Sequence, residues 1–274
     1  MSAGTPIKEE EVEEVEKRQR PRSAVIYETI RREGEEELQR GSLALFWSAI
    51  AAGGSMSFSL ITMGVLQSHL PDTPWRPLVS SMGYTLGFMI VILGRQQLFT
   101  ENTLTPLLPM LYEPTVERLR NILRLWAVVL TGNLIAACAA AALIAFSGAF
   151  PDQTLKAFDE IARTTALHPF LTLLAKGIFA GWLIALMVWL LPMAENLGLF
   201  VILILTYVVG AAELSHIIAG SVDAMYGAWR GVVPWSGVVA FAVPTLLGNC
   251  VGGISFVAAV SSAEITADDK DRAA

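Results

Sequence analysis

Gly94-Arg95-Gln96-Gln97-Leu98-Phe99-Thr100-Glu101-Asn102 interrupts an apolar run from residue 77 to residue 112, and Gly210-Ala211-Ala212-Glu213-Leu214-Ser215-His216 interrupts a second run from 197 to 229. Both runs exceed the ~20 residues that one helix needs to cross a bilayer. Each therefore reads as two half-helices joined by an irregular loop. Non-helical backbone survives at membrane depth only where protein buries it or where it lines a cavity. Interrupted helices at matching points of two halves point to a transport site.

Four further apolar stretches, 42–67, 121–147, 169–191 and 234–262, bring the expected spans to six. The connections between spans carry turn signals, among them Pro71-Asp72-Thr73-Pro74, Glu113-Pro114-Thr115, Pro151-Asp152 and Pro192-Met193-Ala194-Glu195-Asn196. The chain is 54% hydrophobic and only 16% charged, below the quarter typical of globular domains. Residues 1–40 alone hold eight Lys/Arg and eleven Glu. The reading is an all-α membrane protein with a charged N-terminal tail (1–40), a six-helix membrane domain (41–263) and a short C-terminal tail (264–274). Residues 1–21 have no apolar periodicity and read as disordered. Residues 22–40 read either as a short interfacial helix or as a solvated charged tail. The first apolar segment begins near Ser42, too late for a cleavable signal peptide. The mixed charge of the tail suggests no nucleic-acid partner. Neither a Ser/His/Asp set nor a metal-ligand spacing nor a phosphate-binding loop is present, so enzyme activity, metal and cofactor are not expected. Cys138 and Cys250 fall in apolar helices and read as small buried hydrophobes.

The two halves repeat. Gly132-Asn133 recurs 116 residues later as Gly248-Asn249, and the same offset pairs Gly94 with Gly210, Leu98 with Leu214 and Thr100 with His216. At a second offset, Ile50, Ala52 and Gly53 match Ile178, Ala180 and Gly181. Three spans is an odd number, so the second repeat enters the membrane from the opposite side. Substrate sites in such inverted repeats lie near the midplane. Lys/Arg placement sets the orientation. With both termini cytoplasmic, the inner side carries the eight tail cations, Arg118, Arg120 and Arg124, and Lys270 and Arg272, against four outside (Arg76, Lys156, Arg163, Arg230).

A helix that begins after a break points free N–H groups and a positive dipole end into the membrane, which favours a small anion. His216 is the one histidine inside a span, and an ionisable residue there is a functional candidate. Its ring can share a proton with an incoming weak-acid anion. The alternative is a histidine satisfied by neighbouring carbonyls. Lys176 stands at the mouth of the path, either attracting anions or snorkelling to the interface. Arg95 with Glu101 or Glu213 reads as an ion pair stapling a broken helix, because buried charges need partners. Asp223 lies about two helical turns beyond His216, as a vestibule residue or a subunit contact.

Leu98-Phe99-Thr100-Glu101-Asn102-Thr103-Leu104, Lys176-Gly177-Ile178 with Trp182-Leu183, and Ser215-His216-Ile217-Ile218-Ala219 resemble the formate/nitrite transporter family over about residues 40–262. The resemblance implies an aquaporin-like six-helix fold in a bacterial inner membrane and a homopentamer with one pore per protomer. It implies a selectivity site of Thr100 and His216, a vestibule lysine at Lys176, and apolar constrictions at Phe88, Leu98 and Val209. Phe88 and Val209 stand where well-known members carry Leu and Phe. Ser215, Gly220 and Gly181 replace a Glu and two Asn, and Arg95-Gln96-Gln97 replaces small or acidic residues. This pattern resembles the divergent, YfdC-like branch of the family. The expected function is passage of small monovalent anions of the formate or nitrite kind. Proton coupling would run through the histidine. The competing readings are a water or neutral-solute channel, disfavoured by the lack of paired Asn-Pro-Ala motifs, and a non-conducting membrane sensor or scaffold.

Overall fold

A computed structural model describes residues 23–260. The stretch 1–21 read as disordered and the tail 264–274 lie outside the described residues. Within them every regular element is helical: α1 (Ser23–Gln39), α2 (Ser42–His69), α3 (Arg76–Leu93, with a 3-10 turn at Ser81–Tyr84), α4 (Leu107–Tyr112), α5 (Val116–Phe146), α6 (Asp152–Ala166), α7 (Phe170–Leu190), α8 (Gly198–Ala211), α9 (Ile217–Trp229) and α10 (Trp235–Val260).

Five of these helices, α2, α3, α5, α7 and α10, are long and apolar enough to cross a membrane. α8 is equally apolar but has 14 residues. At 1.5 Å per residue it spans ~21 Å, short of a ~30 Å hydrocarbon core. Proline marks several boundaries. Pro151, Pro169 and Pro234 precede α6, α7 and α10, and Thr115 caps α5 by accepting the Arg118 N–H at 3.2 Å.

The first interrupted run does not resume as a half-helix. After Leu93 the chain makes a 3-10 turn at Glu101–Thr103, and α4 has only six residues. Pro106 disfavours helical backbone at Thr105, and Pro109 removes another N–H donor. Only the second break is followed by a substantial helix, α9 with 13 residues. The expectation of two helix N-termini facing one path is thus corrected to one.

The most extensive helix pairs are α2 on α5 and α7 on α10. Each depends on glycines at the contact. A Cβ on Gly53 would sit 2.3 Å from the Asn133 carbonyl oxygen, and one on Gly181 would sit 2.3 Å from that of Asn249. Outward faces are apolar, with Leu43, Trp47, Leu143, Phe179 and Phe200 exposed. So much exposed apolar surface suits lipid or another copy of the chain rather than water.

α1 docks across one end of the bundle. Ile30 is fully buried with Leu104, Leu108, Trp189 and Phe256 around it. Gln97 Nε2 donates to Glu37 Oε2 at 2.9 Å, and Arg124 donates to the carbonyls of Leu38 and Arg40. α6 falls in the stretch read only as a connection. Leu155, Phe158, Ile161 and Ala162 form its apolar stripe, and Phe158 packs on Tyr226 of α9. At this opposite end, α6 walls a cavity.

Candidate functional site

Both loops leave their helices in the same way. Gln96 N–H donates to the Val91 carbonyl and Leu214 N–H to the Val209 carbonyl, each at 2.9 Å. This is the closure that satisfies orphan carbonyls at helix ends. The residue before each donor, Arg95 or Glu213, takes positive φ (48° and 50°). A non-glycine residue in that region carries ~1–2 kcal/mol of strain.

Two asparagines then hold the loops. Asn133 Oδ1 accepts the Phe99 N–H at 2.9 Å, while its Nδ2 donates to the carbonyls of Ala49 (2.8 Å) and Gln97 (2.9 Å). Asn249 Oδ1 accepts the Ile217 N–H at 2.8 Å, while its Nδ2 donates to the carbonyls of Gly177 (2.8 Å) and Ser215 (2.9 Å). Both side chains are fully buried. Each one joins a loop to a neighbouring helix and satisfies backbone groups that the loop leaves free.

These bonds correct the register of the repeat. Phe99 and Ile217 occupy equivalent positions, as do Gln97 and Ser215. Within the loops the halves therefore match two residues away from the offset that pairs the asparagines. Gly94 corresponds to Ala212, not Gly210, and His216 corresponds to Leu98, not Thr100. Gly210 is still inside α8.

Thr100 and His216 nevertheless meet. Thr100 Oγ1 lies 2.7 Å from His216 Nε2, and each residue is 1% exposed. His216 is the N-cap of α9, and its Nδ1 accepts the Ala219 N–H at 3.2 Å. With Nδ1 an acceptor, the ring proton sits on Nε2 and is donated to Thr100 Oγ1. The threonine is fixed in turn: Thr103 Oγ1 donates to its carbonyl at 2.7 Å. The Phe88 ring stands edge-on to the imidazole, centroids 4.9 Å apart. Phe88, Leu98 and Val209 are all fully buried.

His216, Val209 and Ser215 form the floor of a cavity of about 480 Å³. Its walls come from the end of α2, the start of α3, and α6, α8 and α9; Tyr84, Arg163, His168, Glu213 and Asp223 face it. Phe88 and Leu98 are not part of that lining.

The charged residues are arranged differently from expectation. Arg95 pairs with neither Glu101 nor Glu213; it is exposed at the end of α3. Glu213 instead lies 3.7 Å from Lys176 Nζ, which is also 3.4 Å from His168 Nε2. The physical reason is the shared helix-end geometry, which places Arg95 and Glu213 on the ends of two different helices, each turned outward. Lys176 is therefore half of an ion pair beside the cavity, reaching it through Glu213 and His168 rather than lining it itself. Asp223, 4% exposed, accepts a hydrogen bond from Thr165 Oγ1 at 3.1 Å.

Two of the unusual residues have packing reasons. A Cβ on Gly220 would lie 2.3 Å from Phe241 Cζ, as that fully buried ring fills the space beside α9. At Gly181 the Asn249 backbone leaves no room. The sequence reading missed the anchoring role of the asparagines, the vestibule helix α6 and the Lys176–Glu213 contact. The repeated Gly-Asn pair was the available signal for the first, and the stripe Leu155, Phe158, Ile161, Ala162 for the second.

The formate/nitrite transporter family model matches residues 24–263. Inner membrane protein YfdC of Escherichia coli is 42% identical over 248 residues, covering 90% of this chain and 80% of that protein. Formate channel FocA of Haemophilus influenzae is 26% identical, covering 76% of this chain and 82% of its own. Among solved structures, an FNT family ion channel superposes with a TM-score of 0.75 at 19% identity, covering 85% of this chain and 96% of the other. A pentameric formate channel with formate bound gives a TM-score of 0.66 at 21% identity, covering 80% and 95%. By its sequence and its fold, the chain belongs to the formate/nitrite transporter family.

Proposed function

We propose that the protein is a channel or transporter for small monovalent weak-acid anions, with the Thr100–His216 pair as its selectivity site. The observation that carries this is the cavity ending on His216 at the N-terminus of α9. An anion reaching that floor meets a positive dipole end and an imidazole able to exchange a proton with it. The anion and a proton cross the apolar level of Phe88, Leu98 and Val209 together, because a bare charge there carries a large desolvation cost. Lys176 supplies a cation near the mouth, and Glu213 offsets its charge.

In this reading the six spans form two inverted three-helix repeats, with breaks after α3 and between α8 and α9. The matched bonds of Asn133 and Asn249 support that arrangement. Both termini are cytoplasmic in a bacterial inner membrane, with the cavity on the outer side. Five copies assemble with one path each, a reading supported by the pentameric relative and by the apolar outward faces.

Proteoliposome uptake of formate, nitrite and acetate across a pH series tests the function. Uptake should rise as pH falls, and His216→Asn, which cannot carry the extra proton, should flatten that rise. Absence of flux for all three anions at every pH would refute the transport reading. An unchanged profile in His216→Asn would refute proton exchange at the histidine.

A further inference from the structure

The outer cavity holds a second proton-exchanging group besides the histidine. Asp223 lies on α9 seven residues after His216, two turns and nearly one full alignment of face, so ~10 Å along the helix. Both side chains line the same cavity. Asp223 is 4% exposed, and its one hydrogen bond among the described residues comes from Thr165 Oγ1 on α6, to Oδ2. No cation lies within 4.0 Å of it among the described residues. Buried carboxylates are ordinarily paired. This one has a hydroxyl on one oxygen and, among the described residues, leaves the other without a hydrogen-bond partner.

The surroundings are specific. Tyr84 and Arg76 of α3 line the cavity, with Glu160 and Arg163 of α6. Arg76 is engaged by Asp72 and Glu160. His168 and Glu213 are joined through Lys176. On α9 itself the other titratable groups are His216, at its cap, and Tyr226, whose hydroxyl donates to the Leu155 carbonyl. α10 contributes no Asp, Glu, Lys, Arg or His, those of α5 fall within its first nine residues, and α2 brings only His69, at its end. Asp223 is therefore the carboxyl group on the cavity wall that no cation claims.

We infer that Asp223 is the outer proton station of the path, handing a proton to a weak-acid anion before it reaches His216. The inference rests on the transport reading above. In the step, the Asp223 O–H bond breaks and an O–H bond forms on the anion. The neutral acid moves on to the Thr100–His216 level, where the imidazole exchanges that proton with it, and the Asp223 carboxylate regains its own proton from the external medium through cavity water. Thr165 is a positioning residue that keeps the carboxyl turned to the cavity.

Right-side-out membrane vesicles, with external and internal pH set separately, test this with radiolabelled formate. Asp223→Asn should lower uptake at least about tenfold near external pH 7.5, where bulk formic acid is scarce. The loss should shrink to about twofold near external pH 5, where the medium supplies the acid itself. The response to internal pH should match the wild type. Asp223→Glu should recover most of the uptake, and Thr165→Val should shift the external profile in the same direction, by less. A purely structural role would scale uptake by one factor at every pH, and that result overturns the proposal, as does an unchanged Asp223→Asn profile. If Asp223→Asn unfolds, the Thr165→Val profile decides by the same criterion. An inactive wild type would sink the transport reading and this inference with it; an active wild type beside an unaltered Asp223→Asn sinks the inference alone.

Discussion

Replacing Asn249 with alanine removes three hydrogen bonds at one point: from the Ile217 N–H at 2.8 Å, and to the carbonyls of Gly177 at 2.8 Å and Ser215 at 2.9 Å. The site is fully buried, so water does not replace them. A buried polar group left unpaired costs ~1–3 kcal/mol. Ile217 N–H and the Ser215 carbonyl bear that cost in full. Gly177 lies inside α7, where its carbonyl also serves the helix, so its share is below ~1 kcal/mol. The sum is ~2–7 kcal/mol, and at ~2–4 °C per kcal/mol the melting temperature should fall by ~4–28 °C. Asn133→Ala breaks the equivalent three bonds and should fall by a similar amount. Thermal unfolding of the detergent-solubilised protein measures the shift, and hydrogen exchange at residues 214–219 locates it. A shift below ~3 °C, or unaltered exchange at Ile217, would refute the anchoring role.

Glu213→Gln removes the counter-charge 3.7 Å from Lys176. One freed cation at ~1 kcal/mol should raise initial anion uptake about fivefold at low ionic strength, and the gain should vanish in ~1 M salt. In α1, hydrogen bonds from Arg31 and Arg32 hold the Glu28 carboxyl at about 2, below its ordinary 4.5. A lowered folded value means that the contribution is complete above about pH 4.5 and is lost as pH falls toward 2. The cluster is partly exposed, so the effect stays under ~1 kcal/mol. It should be seen as faster intrinsic-rate-corrected exchange in residues 24–39 on acidification, absent in Glu28→Gln.

The broad plan was legible because it rests on local chemistry. Apolar length marks the long helices. Polar residues in the middle of an apolar run mark the breaks, since only a cavity or a protein interior tolerates them. The meeting of Thr100 with His216 was reached through a register that the hydrogen bonds do not keep. Their proximity comes from how the two loops pack, not from symmetry. Gly94 and Gly210 misled for a simple reason: glycine recurs in membrane helices for close packing as well as at helix ends. The second half-helix after Thr100 failed because Pro106 and Pro109 outweigh the hydrophobicity around them. The partner of Glu213 was out of reach, because Lys176 is 37 positions away in sequence and on another helix. α6 carried a readable stripe, yet its charged residues hid it among the connections.

The asparagine anchors also bear on how quickly the path can work. Phe99 and Gln97, beside Thr100, are tied to one asparagine, and Ile217 and Ser215, beside His216, to the other. Backbone so fastened has little freedom to swing on the slow timescale of lids and domains. In the proposed path, widening at this level would fall to the rotation of the Phe88, Leu98 and Val209 side chains. Rotamer changes occur in picoseconds to nanoseconds when unhindered, and more slowly in a packed interior. The narrowest point thus behaves as a stiff frame with soft inserts. In the proposed path, its traffic would be set by how long each insert takes to turn.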